Sequence, residues 1–183
     1  MTRIQVGETM PNFAFDTGYA AGKHLSDYLT GKTVVWVLRY IGCPTCSYTA
    51  WLINNRYDEF PAKDAKVLMV MQSDPQHIQD YLGERNIDLK FDIVADTAME
   101  FYKTLDIKPA ADMDGLRGAR DPEESKKLFA AIKEAGFTHG DYEGDELQLP
   151  ALFILDDKGV VTYAHYAKDG GDMPSVDDVL AML

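Results

Sequence analysis

The sequence predicts an α/β fold, a central mixed β-sheet flanked by helices, and three observations carry that prediction. A nearly continuous apolar run, "TVVWVLRY" at 33–40, reads as a central strand covered on both faces. A helix start follows it directly, and a second apolar run, "KVLMVM" at 66–71, comes next, so strand and helix alternate. Near the C-terminus the habit changes: "ALFILDDKGVVTYAHY" is two strands around an Asp-Asp-Lys-Gly turn. Alternation demands crossovers and parallel neighbours, whereas a hairpin is antiparallel, so one sheet holding both is mixed.

The elements follow in order. Pro44 lacks the amide hydrogen that a first helical turn leaves unused, and "PTCSYTAWLINNRYDEF" sets Tyr48, Leu52 and Arg56 along one face with Trp51 and Ile53 beside them. After the strand at 66–71, Asp74 caps a second helix, Pro75 opens it, and Ile78, Tyr81 and Leu82 form its apolar stripe. A short strand at 91–96 and a short helix over about 97–105 complete the first half. "DPEESKKLFAAIKEAGF" is a fully punctuated helix, with Asp121 as cap, Pro122 first, Glu124 third and Gly136 as stop. Its stripe is Leu128, Phe129, Ile132 and Ala135. "MPSVDDVLAML" closes the chain as a last helix.

No repeat, low-complexity tract or linker interrupts the 183 residues, which are enough for one good core, so residues 1–183 read as one domain. The net charge of −12 repels phosphate backbones and anionic lipid alike, which excludes nucleic acid and membrane surfaces as partners. The start of the chain has no apolar signal core and no apolar run approaches a bilayer span, so a soluble, cytoplasmic protein is expected.

Only two cysteines occur, Cys43 and Cys46, in "RYIGCPTCSYTAW". The loop that they would close is too small to staple a domain, so their work is chemical. Positions three apart share a helix face, within reach of a disulfide. Amides at the helix start favour an anion, which marks Cys43 as the nucleophile and Cys46 as the resolving thiol. The alternative of two inert buried thiols is the bland one. A zinc site would need two more ligands, and His24, His77, His139 and His165 form no closely spaced pair.

"GCPTC" between strand and helix, together with "QLPALFILDDKGVV" opening a hairpin, resembles the thioredoxin-fold redoxins. The chain is most similar to the peroxiredoxin-like branch of the alkyl hydroperoxide reductase and thiol-specific antioxidant (AhpC/TSA) family. The resemblance extends over "VGETMPNFAFDT", matching an N-terminal β-hairpin, and "DTAMEFYKTLDI", matching the helix before a late insertion at 108–146. "CPTC" also resembles the Cys-Pro-x-Cys of glutaredoxins. It implies that Pro150 forms a cis peptide against the cysteine pair, with backbone beside it docking the substrate sulfur.

The departures are specific. Where peroxiredoxins carry the Pro and Thr ahead of the peroxidatic Cys, this chain has Trp36 and Tyr40. Their hairpin Arg aligns with Pro150. Thioredoxin's Trp and buried Asp are replaced by Gly42 and Val37. Arg39 and Tyr40 are the donors left to meet a peroxide, and Gly42 either makes room for a bulky substrate or a backbone approach to Cys43, or serves a tight turn with positive φ. Arg39, Tyr40, Gly42, Pro44 and Pro150 are therefore the expected substrate contacts around catalytic Cys43 and Cys46.

The first reading is a thiol-disulfide oxidoreductase cycling this dithiol, in disulfide reduction or antioxidant defence, without a cofactor and fed by a thiol or disulfide electron-donor system. The alternatives are a peroxidase with Cys43 peroxidatic and Cys46 resolving, and a metal-binding or delivery protein on the same fold. "THGDYEGDELQLP" offers His139 or Glu146 as the base that accepts the proton of Cys46, or is a solvated loop. His165 reads as a strand residue facing solvent or a helix, and Asp112 and Asp114 as loop residues lacking the rest of a calcium loop. The insertion at 108–146 is a lid, a dimer contact or packing.

Overall fold

The computed structural model of the protein describes residues 3–119 and 121–183. Its elements in chain order are β1 (Ala14–Phe15), β2 (Lys23–His24), β3 (Lys32–Val37), α1 (Pro44–Asn55), β4 (Ala65–Met71), α2 (Pro75–Glu84), β5 (Asp92–Ala95), α3 (Glu100–Thr104), α4 (Met113–Arg117), α5 (Pro122–Glu134), β6 (Ala151–Leu155), β7 (Val161–Tyr166) and α6 (Val176–Met182). The central sheet runs β5-β4-β3-β6-β7. β3, β4 and β5 are parallel, and β6 and β7 join antiparallel, as the two halves of the sequence require. β1 and β2 form the N-terminal hairpin.

Alternate residues of β3 enter two cores. Val34 and Trp36 face the layer of α1, α2 and α6, with Ala50, Ile53, Ile78, Leu82, Val179 and Leu180. Val35 and Val37 face the N-terminal segment and α3, where Phe13 stacks on Phe101 with ring centroids 3.9 Å apart. Every residue of β3 after Lys32 is buried, which explains why its sequence shows no polar alternation.

The caps behave as read. The Asp74 carboxylate accepts the His77 amide, and the Asp121 carboxylate accepts those of Glu123 and Glu124. Two helix faces are corrected. In α1 the buried residues are Cys46, Ser47, Ala50 and Ile53, while Tyr48, Leu52 and Arg56 are only partly covered. The helix is apolar on most sides, so periodicity could not choose a face, and contact with the sheet chose it instead. In α5 only Ile132 is buried, and Phe129 keeps 53% of its surface exposed. Phe137, just past α5, packs against Tyr48 and Trp51 of α1 at centroid distances of 5.9 and 6.0 Å, fixing the insertion to the helix that carries the cysteines.

The Leu149–Pro150 peptide is trans, since the described residues contain no cis bond, which corrects the expectation drawn from the resemblance. The approach to β6 is already extended: Gln148 bridges to Pro109, and the Pro150 carbonyl accepts the Ala167 amide. An X-Pro bond without a turn to make keeps its intrinsic trans preference of about 0.5–1 kcal/mol. No helix of the described residues is long and apolar enough to cross a membrane.

Candidate active site

β3 ends at Val37, and residues 38–43 carry the chain from the C-terminal end of this central strand to α1. Cys43 is the residue that caps α1, with extended backbone (φ −75°, ψ 118°) and Pro44 in the first helical position. Its amide donates to the Tyr40 carbonyl at 3.1 Å, and its carbonyl accepts the Ser47 amide at 3.0 Å, so the nucleophile is held on both sides. The Ser47 hydroxyl also donates to that carbonyl and accepts from Tyr81 of α2.

Cys46, one turn into the helix, donates its S–H to Cys43 Sγ across 2.9 Å. Arg39 reaches the same sulfur with a guanidinium nitrogen at 3.0 Å. The Cys46 hydrogen bond, with the Arg39 charge and the Cys46 amide helping against burial, lowers the Cys43 pKa to about 6. Burial pushes the Cys46 thiol well above its ordinary value, and its bond to Cys43 adds to the effect. The pair is therefore asymmetric at neutral pH: a thiolate at 43 and a protonated thiol at 46. Both side chains are almost completely covered, at 0% and 5% exposure.

The cover is the segment after α5, which the sequence offered as a proton-transfer site or a solvated loop. The Gly140 amide donates to the Gly42 carbonyl at 2.8 Å. A side chain at Gly42 would place its Cβ 2.4 Å from the Asp141 carbonyl oxygen. Gly42 does not have positive φ and leaves no room for a bulky substrate, because strap backbone fills that space. His139 Nδ1 donates to the Gly140 carbonyl at 2.7 Å, which leaves Nε2 to accept from the Tyr40 hydroxyl at 3.1 Å. Tyr40 is fully buried, and burial raises its phenol pKa, so it stays a neutral donor committed to His139.

The proton-acceptor role drawn for Glu146 is corrected: its side chain is exposed, and its carbonyl is what meets Arg39, at 2.6 Å. His139 engages Tyr40 rather than a thiol. Pro150 is brought beside the end of β3 by register, one residue before the Val37–Ala151 pair. His165 Nε2 faces the Asp172 carbonyl at 2.6 Å, away from the cysteine pair. Among the described residues no group of three or more His, Cys, Asp or Glu side chains is placed to hold a metal ion.

Three residues of the site escaped sequence reasoning. Ser73 accepts the Ile41 amide and donates to Glu143; Gln72 holds Asp145 through its amide and carbonyl; Glu143 also meets His77 Nδ1 at 2.7 Å. The signal that could have found the first two is the polar "QS" directly after the buried run of β4, at the C-terminal end of a parallel strand where α/β proteins build their sites.

The sequence model of the AhpC/TSA family matches residues 6–164. The chain belongs to the AhpC/TSA family. Its peroxiredoxin-like members are thiol-dependent peroxidases, and the chain is accordingly a thiol-based oxidoreductase. The fold is similar to that of a cysteine-to-serine mutant of Xylella fastidiosa PrxQ (16% identity, TM-score 0.68, covering 98% of this chain and 95% of that one). It is similar also to a yeast mitochondrial 1-Cys peroxiredoxin (16%, 0.68, 98% and 74%) and to the Xanthomonas campestris bacterioferritin comigratory protein (16%, 0.64, 93% and 88%). Sequence comparison with curated proteins finds no match.

Proposed function

We propose that the AhpC/TSA chemistry of this chain is the two-electron reduction of a hydroperoxide by Cys43, with Cys46 as the resolving thiol. The observation that carries the reading is the convergence of Cys46 S–H and the Arg39 guanidinium on one sulfur, at 2.9 and 3.0 Å. It supports a stable thiolate whose resolving partner is already in contact.

The Cys43 thiolate attacks the outer oxygen of ROOH, the O–O bond breaks, and the sulfur becomes a sulfenic acid. The leaving RO⁻ develops its charge beside Arg39 and takes the proton of Cys46. The Cys46 thiolate then attacks the Cys43 sulfur, forming the S–S bond and releasing hydroxide, which solvent protonates. ROOH has become ROH and water, and the dithiol a disulfide. Two electrons from a thiol donor system, thioredoxin-like or low-molecular-weight, restore the dithiol by exchange. Arg39 thus replaces the donors missing at Tyr40, whose hydroxyl is committed to His139, and at Pro150, whereas Tyr40, Gly42 and Pro150 shape the loop around Cys43. One domain over 1–183 in a reducing, cytoplasmic setting fits a dithiol that must be re-reduced in each cycle.

Stopped-flow tryptophan fluorescence tests this. Trp36 belongs to the same core cluster as both cysteines and is the reporter. Reduced protein mixed with hydrogen peroxide is expected to react orders of magnitude faster than a free thiol, in two phases, and Cys46→Ser is expected to lose the second. A rate equal to that of a free thiol, with fast turnover of a disulfide instead, returns the function to disulfide reduction.

A further inference from the structure

The chain between α5 and β6 crosses the cysteine pair as a strap tied down along its length. His139 and Gly140 are bound to the active-site loop at Tyr40 and Gly42. Tyr142 packs on Tyr40, with ring centroids 5.9 Å apart. The Glu143 carboxylate lies under the strap and is held three ways: by the Ser73 hydroxyl, by His77 Nδ1 at 2.7 Å and by the Asp74 amide at 3.3 Å. Asp145 is clamped by Gln72, and the Glu146 carbonyl by Arg39 at 2.6 Å. Gly144, with φ 63°, turns the chain where a side chain would strike Gln72 at 2.1 Å. The result is a nucleophile with 0% exposure whose hydrogen-bond partner Arg39 is only partly covered.

From this geometry we infer that the strap 138–146 is the size-selecting element of the site. It admits small hydroperoxides along the Arg39 side chain and shuts out bulky ones and protein thiols until Glu143 releases. The inference rests on Cys43 being the nucleophile of the proposed function. Two properties of the strap make it a gate rather than core. Its side chains are mostly exposed, so opening pulls few of its own side chains out of packing. Most of its ties are polar, and they reach neighbouring sites, the loop before α1, the end of β4 and the first turn of α2, so they release together. The key is steric: only glycine at position 42 lets the strap backbone come so close.

Reduced wild-type, Gly42→Ala and Glu143→Ala proteins are treated separately with iodoacetamide and with a polyethylene glycol maleimide of several kilodaltons. Modification of Cys43 is followed by mass, at a pH where it is fully thiolate. Wild type is expected to take the small reagent readily and the large one slowly. Each variant is expected to raise the large-reagent rate about ten-fold, since each removes ties comparable to a charge-assisted hydrogen bond. The ratio of kcat/KM for hydrogen peroxide to that for cumene hydroperoxide is expected to fall in the same variants. Equal wild-type reactivity toward both reagents after correction for their intrinsic rates overturns the inference, as does a large-reagent rate unmoved in both variants. Alkylation involves no peroxide, so a protein that fails as a peroxidase can still pass this test, and a good peroxidase can still fail it.

Discussion

The half of the chain that builds the thiols and the half that covers them are held by different forces. From β3 to α2 the structure is a buried apolar frame: every residue of β3 after Lys32, and Cys46, Ala50 and Ile53 of α1, are out of water. From α4 to the strap the opposite holds, with Leu116, Ile132 and Phe137 the main apolar anchors and the remaining ties mostly polar. The frame fixes the Cys43 sulfur in place, while the insertion covers it. The difference teaches that catalytic geometry and access are separable here, and substitutions in the two halves should fail in different ways.

The largest effect belongs to the frame's sulfur. Cys43→Ser is expected to abolish peroxide reduction, because a serine hydroxyl is not ionised at any usable pH; stopped-flow turnover checks it, and residual activity above about a thousandth of wild type would place the nucleophile elsewhere. Next comes the packing beneath it. Ile53 is fully buried in α1, so Ile53→Ala is expected to lower stability by about 3 kcal/mol in urea unfolding, a loss that no substitution of an exposed α5 residue should match.

Arg39→Met sharpens the comparison at the point where frame and strap meet. The guanidinium favours the Cys43 thiolate, so its loss should raise the pKa from about 6 by about one unit. The sign follows: the wild-type thiolate is present above pH 6 and lost below it, so the variant's peroxide rate should drop about five-fold near pH 6 and rejoin wild type above pH 8, apart from any direct effect on the leaving oxygen. A pH profile with an unmoved midpoint would show that Cys46 alone sets the thiolate. The companion variant Cys46→Ala removes the main hydrogen-bond donor to the Cys43 sulfur and should shift the midpoint further, whereas Cys46→Ser keeps a hydroxyl donor.

What the sequence let one read follows the same division. β3, β4 and α2 were legible because burial on both faces forces an apolar run and because Asp74 and Pro75 declare a helix start by local chemistry. That Cys43 and Cys46 meet was legible because positions three apart share a helix face. The face of α1 was not, since its apolar and small polar residues are spread round the helix and only the sheet could choose. The trans peptide at Pro150 is the bond's intrinsic preference where no turn asks for cis, and Gly42, without positive φ, meets strap backbone that lies far away in sequence. The strap itself looked like a solvated loop because much of its grip is backbone: the Gly140 amide and the Glu146 carbonyl carry no residue signature.

The smallest expected effect tests whether α5 is only a spacer that delivers the strap. Its cap is complete, with the Asp121 carboxylate accepting two amides at 2.8 and 3.1 Å, yet the helix buries one residue. Asp121→Ala should therefore cost about 1 kcal/mol of helix stability, paid locally as fraying seen by hydrogen exchange in α5, with the global unfolding midpoint almost unchanged. Phe129→Ser, at a site 53% exposed, should move neither. If fraying also speeds capture of Cys43 by the large maleimide, α5 tensions the strap. If capture does not change, the hold lies in Glu143, Gln72 and Gly42 alone, because those ties join the strap to the frame without passing through the helix.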